Sequence, residues 1–255
     1  MKLWLCTHVY DDPMLPYWLR HHRTFCDRLL VWLNGDTPER ETAHVMALCE
    51  QYGAQVNRFP FSGLADDRYV SFAEKWIENL ADADEVPDRV GWDDCDEFYF
   101  CKDWQAILEA YKTAPILRGG VGWSMYHPSF PTTAGQIYEE VRHGLPELGA
   151  AKPVFCLPGT NPRWSAGKHE AYGAPVVVLP EIMGCHFRKL GVEHLVNRNT
   201  ENWKRVTAVN KALGHGYHTN EENTAKEPPI FEADLAKAMA APEVELFLEK
   251  EGKHD

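Results

Sequence analysis

The stretch 92–100, WDDCDEFYF, holds four carboxylates between aromatic side chains. In an extended segment, residues two apart point to the same side, so Asp94 and Asp96 are expected to converge on one ion. Because burying charge without a partner is costly, such a cluster indicates a counter-ion. Oxygen ligands suit Mg²⁺ or Mn²⁺, either of which could neutralise the charge that develops on a leaving diphosphate.

Less specific interpretations of the polar residues stay open. The acidic segment 93–97 could be a solvated turn between two strands. His22 and Cys26 could form half of a zinc site or an incidental helix face, and no second pair with zinc spacing occurs in the sequence. His8 could be a core histidine, and Lys152 could pair with a surface acid.

Composition narrows the class of protein. The chain has 255 residues, a size typical of one domain, and its net charge of −12 without a Lys/Arg cluster argues against nucleic acid or an anionic membrane surface as a partner. No apolar run approaches the roughly 18 residues that span a bilayer, and the first apolar run is short for a signal peptide. Seven cysteines without a C-x-x-C pair favour reduced thiols in a cytoplasmic protein.

Strand and helix patterns alternate through the first 100 residues. Strands are expected at 2–9, 28–33 and 54–61, helices at 15–25, 38–52 and 70–81, and a fourth strand before the acidic segment. This alternation predicts a parallel sheet flanked by helices, which binds ligands beyond the carboxyl ends of its strands. Three of those ends are polar here, at 11–12, 34–36 and 94–97.

The second half is richer in glycine and proline and contains strand candidates at 153–157 and 174–183. Its loops carry aromatic residues that could line an acceptor pocket or pack on the core. These residues are Trp123, Tyr126, His127, Phe130 and Trp164. From residue 221 the chain is a charged tail with a short helix candidate at 231–240.

The segment 94–98, DCDEF, resembles the D-x-D-E-F signature of family 2-like and family 92-like glycosyltransferases, which have the GT-A fold. The similarity continues in order over roughly residues 3–200. It includes a W-[IL]-x-[HY]-[HY] helix, a second strand with its polar turn, a K-x-[IV] strand, a G-x-H loop and an H-[YF] strand end. The matching segments are 17–22, 30–37, 152–155, 167–169 and 185–187.

The resemblance implies a single α/β domain of the GT-A, Rossmann-like type, with a mixed, mostly parallel central sheet flanked by helices. It would span residues 1–220, with a nucleotide-sugar-binding half at 1–100, an acceptor- and metal-completing half at 101–220, and a tail at 221–255. The activity implied is inverting, metal-dependent transfer from a UDP- or GDP-sugar to a hydroxyl of a glycan or small acceptor.

Residue roles follow from the same resemblance. The implied ligands of Mn²⁺ or Mg²⁺ are Asp94, Asp96 and a histidine, with His186 preferred over His169. Nucleotide-sugar contacts are expected from Asp94, Asp36 and one of Asp11 or Asp12; Arg68 and Lys75 are added by charge alone. Base candidates by position are Glu139, Glu140 and Glu170. The chain departs from the family in having Asp11-Asp12 instead of Asn-Glu, and in lacking a clear acidic pair for the base.

Two other classes of function would use the same carboxylates or loops. A metal-dependent nucleotidyltransferase or phosphohydrolase would be favoured by a phosphate-cradling glycine loop, and the sequence contains neither G-x-x-x-x-G-K-[ST] nor G-x-G-x-x-G. A non-catalytic module that binds nucleotide or carbohydrate would keep the aromatic loops without requiring a metal.

Overall fold

The computed structural model describes residues 1–10, 12–64 and 66–248, which form nine strands and seven α-helices. The strands are β1 Leu3–Val9, β2 Arg28–Leu33, β3 Gln55–Arg58, β4 Arg89–Asp94, β5 Glu97–Phe100, β6 Ile116–His127, β7 His143–Pro146, β8 Phe155–Cys156 and β9 Val176–Leu190. The helices are α1 Leu15–His22, α2 Glu39–Gln51, α3 Asp66–Asn79, α4 Trp104–Ala110, α5 Val192–Arg205, α6 Ala208–Ala212 and α7 Glu221–Ala240.

All nine described strands belong to one sheet in the order β3-β2-β1-β4-β8-β6-β9-β5, with β7 paired to β6. The ladders among β1, β2, β3 and β4 are parallel, as is the long ladder between β6 and β9. The shorter ladders made by β5, β7 and β8 are antiparallel. The α/β class and the mixed, mostly parallel sheet predicted for a single Rossmann-like domain are therefore confirmed.

The apolar strands are buried on both faces. In β1, Leu3 and Leu5 pack with residues of α1 and α2, while Trp4 and Cys6 pack with residues of α3 on the other face. Each fully buried large apolar side chain contributes roughly 1.5–3 kcal/mol. The sheet is thereby held rigidly between two layers of helices, and its strand ends can position polar side chains.

The segment after residue 220 packs against the rest of the protein. Helix α7 is longer than the 231–240 segment indicated by the sequence, and Phe231 and Ala238 cluster with Leu195 of α5. Farther along, the Val244 N–H donates to the Arg142 carbonyl at 2.8 Å. Within the described residues, no helix is both long enough and apolar enough to cross a bilayer.

Candidate functional site

A cavity of about 750 Å³ opens beyond the carboxyl ends of β1, β2 and β4, where parallel-sheet proteins bind ligands. His8 of β1, Asn34 after β2 and Asp94 of β4 line its sheet side. The opposite wall is formed by residues of β9, α5 and the segment 216–219. Both halves of the chain therefore contribute to one site.

The D-x-D segment is a turn, so the prediction that it is extended is wrong. Asp94 ends β4, Glu97 begins β5, and the two residues between them turn the chain. The turn arises because β4 pairs with β1 and β8, whereas β5 pairs with β9 across the sheet. The turn is buried, not solvated, since Asp96 is 2% exposed and its carbonyl accepts the Phe187 N–H at 2.7 Å.

Lys152 lies among three of the four carboxylates. Its Nζ is 3.6 Å from Asp93, 3.0 Å from Asp94 and 2.6 Å from Glu97. Lys152 is 2% exposed, so this ammonium is an internal counter-ion and not the partner of a surface acid. Burial and the adjacent Asp93 raise the pKa of Glu97 well above its usual range.

Lys168 gives Asp94 a second cation. Its Nζ is 2.7 Å from Asp94 Oδ1, opposite the oxygen that contacts Lys152. Burial alone would raise the pKa of Asp94, but the two lysines hold it well below its usual range. The backbone of Lys168 has φ 60°, and Gly167 before it has φ 70°. A non-glycine residue in this left-handed region is uncommon, and such strain clusters at functional sites.

Asp96 faces a different set of partners. Its Oδ2 is 3.1 Å from His186 Nε2 and 2.7 Å from a terminal nitrogen of Arg198. Burial would raise the pKa of Asp96, but Arg198 and His186 together hold it far below its usual range. Arg198 lies on α5 and His186 within β9, so two elements from the second half of the chain meet the acidic turn.

The predicted metal ligands all line the cavity, including His169, whose Nδ1 lies 3.2 Å from the Gly149 carbonyl. Ligand atoms of Asp93, Asp94 and Glu97 lie within 4.8 Å of one another, so this triad could hold a metal ion. Within the described part of the chain, no other such group of three is found, so Asp94, Asp96 and a histidine do not converge as predicted. Carboxylates and imidazoles fit Mg²⁺ or Mn²⁺ in their chemistry. An incoming cation would compete with lysine ammonium groups for the same oxygens.

The end of the cavity near β2 combines polar and aromatic groups. Asn34 and Arg205 line it, and the guanidinium carbon of Arg205 is 3.4 Å from the centroid of the Tyr10 ring. Asp36, predicted to contact the nucleotide-sugar, does not line the cavity and lies 3.9 Å from Arg205. Asp12 also lines the cavity. Asp11 lies outside the described residues. This end therefore offers hydrogen-bonding groups beside a flat cationic surface.

Several predicted site residues do not line the cavity described here. Lys75 pairs with Glu78 at 2.9 Å on the exposed side of α3, the helix that also carries Arg68. Glu170 pairs with Arg118 at 3.1 Å. Glu139 and Glu140 accept backbone N–H groups of Gln136 and Thr132, which fixes the loop 132–140. Each of these base candidates therefore has a local bonding role.

The aromatic loops also lie apart from the cavity. Trp164 is 6% exposed and donates its indole N–H to the Pro153 carbonyl at 2.7 Å, while Tyr126 packs near Phe231. Trp123, His127 and Phe130 are absent from the cavity lining in the described structure. Core packing is thus the better account of these residues.

The proposed zinc pair is part of the core. His22 is fully buried, its Nδ1 lies 2.9 Å from the Trp18 carbonyl, and its ring tilts against that of Trp18. Burial lowers its pKa well below the usual range for histidine. Cys26 is a free, buried cysteine, and the six other cysteines are also buried.

Four basic residues of the site were not predicted from the sequence. They are Lys168, Arg198, Arg205 and, as a buried counter-ion, Lys152. Lys152 is the lysine of the segment that matched K-x-[IV], and Lys168 is the middle residue of the segment that matched G-x-H, so the signal for both was available in the sequence. Arg198 and Arg205 lie seven residues apart on α5, which places them on one face of the helix. That spacing could have indicated a cationic helix face.

Comparison with known proteins leaves the family open. The chain matches no protein-family model and has no significant match among curated proteins. Among solved structures, it is similar to HddC from Yersinia pseudotuberculosis with 8% identity, over 71% of this chain and 91% of that chain. The TM-score of that match is 0.34, too low to argue from, so the architecture is established by the strand pairings alone.

Proposed function

We propose that this protein is a metal-dependent glycosyltransferase that moves a sugar from a UDP- or GDP-sugar to a hydroxyl of a glycan or small acceptor. The observation that carries the proposal is a single cavity at the strand ends with a buried acidic turn and five lysine and arginine side chains on its walls. A nucleoside diphosphate with a divalent cation matches this combination of charges. The resemblance to GT-A glycosyltransferases supports the same conclusion.

In this proposal Asp94, Asp96 and His186 hold Mn²⁺ or Mg²⁺, with His169 nearby, as the resemblance implies. These side chains would have to move closer together than they lie here to share one ion, whereas Asp94 already lies close to Asp93 and Glu97. The bound ion would supply positive charge at the leaving diphosphate. Lys168 and Arg198 add fixed positive charge on either side of the acidic turn, where the carboxylates now hold them.

The nucleoside would lie toward β2. There Asn34 offers hydrogen bonds, and Arg205, which lies 3.9 Å from Asp36, presents a guanidinium plane over Tyr10. Asp12 faces the same cavity. Six buried cysteines are free, namely Cys6, Cys26, Cys49, Cys95, Cys156 and Cys185, which supports a reducing compartment such as the cytoplasm.

Product analysis tests the class of reaction. The protein is incubated with UDP- and GDP-sugars and oligosaccharide acceptors, with and without Mn²⁺, and the released nucleotide is identified. Glycosyl transfer predicts release of a nucleoside diphosphate that requires the metal and is lost in Asp96→Asn but kept in Lys75→Met. Release of pyrophosphate or monophosphate would instead support nucleotidyl transfer or hydrolysis. Metal-independent binding without turnover would support a binding module.

A further inference from the structure

Five lysine and arginine residues line the cavity, and four of them have a carboxylate within 4.0 Å. The pairs are Lys152 with Asp93, Asp94 and Glu97, Lys168 with Asp94, Arg198 with Asp96, and Arg205 with Asp36. Arg188 is the exception, since no ion pair to it is found among the described residues. Its neighbour Lys189 is paired, with Glu227 at 2.9 Å.

Arg188 has no carboxylate at contact distance among the described residues. Asp96, Glu227 and Glu147 act on it from farther away, and their effect on its pKa is smaller than that of burial and Arg198. Its terminal nitrogen donates to Asn199 Oδ1 at 3.2 Å, and Asn199 is a buried amide of α5. Burial and the nearby Arg198 lower the pKa of Arg188, and Arg188 in turn helps to lower the pKa of His218 to about 4 after the larger effect of burial. A guanidinium stays protonated at neutral pH, so it cannot relieve this cost by losing a proton.

We propose that Arg188 forms an anion subsite that binds the phosphate or carboxylate oxygens of a ligand. A partly buried cation beside another cation is unfavourable in the empty protein, and an anionic ligand would provide the missing partner. The planar guanidinium can donate two parallel hydrogen bonds to such a group. The net charge of −12 does not oppose this, because a local cluster sets the potential within a cavity.

Two ligands could bring this anionic group: the diphosphate of the donor, or an acidic acceptor such as a sugar phosphate or uronate. The assignment of the anionic group to donor or acceptor rests on the proposed glycosyl transfer. The proposal that Arg188 binds an anion does not rest on it. Arg188 lies near the end of β9, opposite the β2 end where the nucleoside is proposed.

Anion binding to Arg188→Gln tests the subsite. Inorganic phosphate and pyrophosphate are titrated into wild type, Arg188→Gln and Arg142→Gln by calorimetry, and melting temperatures are measured without ligand. Arg142 is an exposed arginine paired with Glu243, so its variant matches the change in charge. We expect anion affinity to fall about tenfold or more in Arg188→Gln only, as for loss of a charged hydrogen bond. Its melting temperature without ligand should equal or exceed that of wild type, and Arg188→Lys should restore part of the affinity.

The source of the anion is separated by repeating the titrations with UDP and GDP in the presence of Mn²⁺, and with glucose 1-phosphate and glucuronate. Weaker nucleotide binding in Arg188→Gln assigns the subsite to the donor. Unchanged nucleotide binding with weaker binding of the acidic sugars assigns it to the acceptor. Equal phosphate affinity in wild type and Arg188→Gln, or no phosphate binding by wild type, would overturn the subsite. Failure of wild type to bind nucleotides would contradict the proposed function but not phosphate binding at Arg188.

Discussion

At the β4–β5 turn each carboxylate contacts a cation, whereas Arg188 on the neighbouring strand β9 has only an amide at contact distance. Lys152 is the clearest case at the turn, as one ammonium shared by three acids. The groups of the turn and Arg188 lie in one cavity, yet only the groups of the turn are paired with one another.

This difference separates charges that hold the fold from charges available to a ligand. In a buried ion pair, the attraction between the two charges offsets the free-energy cost of removing them from water. Removing one partner leaves the other charge buried and unpaired. An unpaired cation has no such structural role, so its removal should affect binding and not stability. The predictions below test this separation, beginning with the largest expected effect.

Lys152→Met should disrupt the paired charges at the turn. The substitution leaves the buried Asp93 and Glu97 without this ammonium and leaves Asp94 with Lys168 alone, and we expect the free energy of unfolding to fall by roughly 3–5 kcal/mol. Urea denaturation measures the loss. Lys168→Met is the matched control and should cost less, because Asp94 keeps Lys152 and is 33% exposed. An equal or smaller loss in Lys152→Met would contradict the role of Lys152 as the central counter-ion.

Asp96→Asn should abolish activity while the protein stays folded. The variant loses a carboxylate proposed as a metal ligand, and we expect metal-dependent turnover to fall by about 100-fold or more. Turnover, circular dichroism and melting temperature are compared with wild type. Near-normal turnover, or loss of activity only through unfolding, would remove Asp96 from the metal site.

The buried His21 provides a second contrast with Arg188, because histidine can respond to burial by losing its proton. Burial lowers the pKa of His21 to about 4. The hydrogen bond between its ring and the Tyr99 carbonyl has the smaller, opposite effect of raising that pKa. The folded state therefore binds fewer protons than the unfolded state between about pH 4 and 6.5, and stability falls as pH decreases through that window. His21 should account for about 2 kcal/mol of the loss between pH 7 and pH 5.

His21→Gln keeps a polar group that can bond to the Tyr99 carbonyl but removes the titration. Its free energy of unfolding should depend less on pH between 7 and 5 than that of wild type, as measured by urea denaturation at each pH. His44→Gln, at an exposed histidine of α2, serves as control and should leave the wild-type dependence unchanged. A pH dependence in His21→Gln as steep as that of wild type would show that His21 is not buried in its neutral form.

His186→Ala should weaken Mn²⁺-dependent donor binding more than His169→Ala. His186 is held within β9 and touches Asp96, whereas His169 lies in a loop against the Gly149 carbonyl. A ligand on a rigid element is better positioned, so we expect about a tenfold loss of donor affinity for His186→Ala and a smaller loss for His169→Ala. The donor Kd of each variant at fixed Mn²⁺ decides the order, and a larger loss for His169→Ala would reverse it.

Much of the fold could be predicted from the sequence, because alternating apolar strands and amphipathic helices dictate a parallel sheet with helices on both faces. The turn at Cys95-Asp96 could not be predicted, since it follows from β5 pairing with β9, about 90 residues later in the sequence. The counter-ions were missed for the same reason: Lys152 and Arg198 meet the acidic turn only through the tertiary fold. Lys75 was predicted to contact the nucleotide-sugar on the basis of its charge alone, and in the structure it pairs with Glu78 on the same helix.

Calorimetric titration of UDP and GDP with and without Mn²⁺ tests the central claim most directly. The proposal that this cavity binds a nucleotide-sugar through a metal predicts saturable, one-to-one binding of at least one of the two nucleotides to wild type. That binding should weaken strongly without Mn²⁺ and in Asp96→Asn, and it should raise the melting temperature by an amount set by nucleotide concentration over Kd. Absence of binding by both nucleotides, or equal binding with and without the metal, would contradict the proposed function.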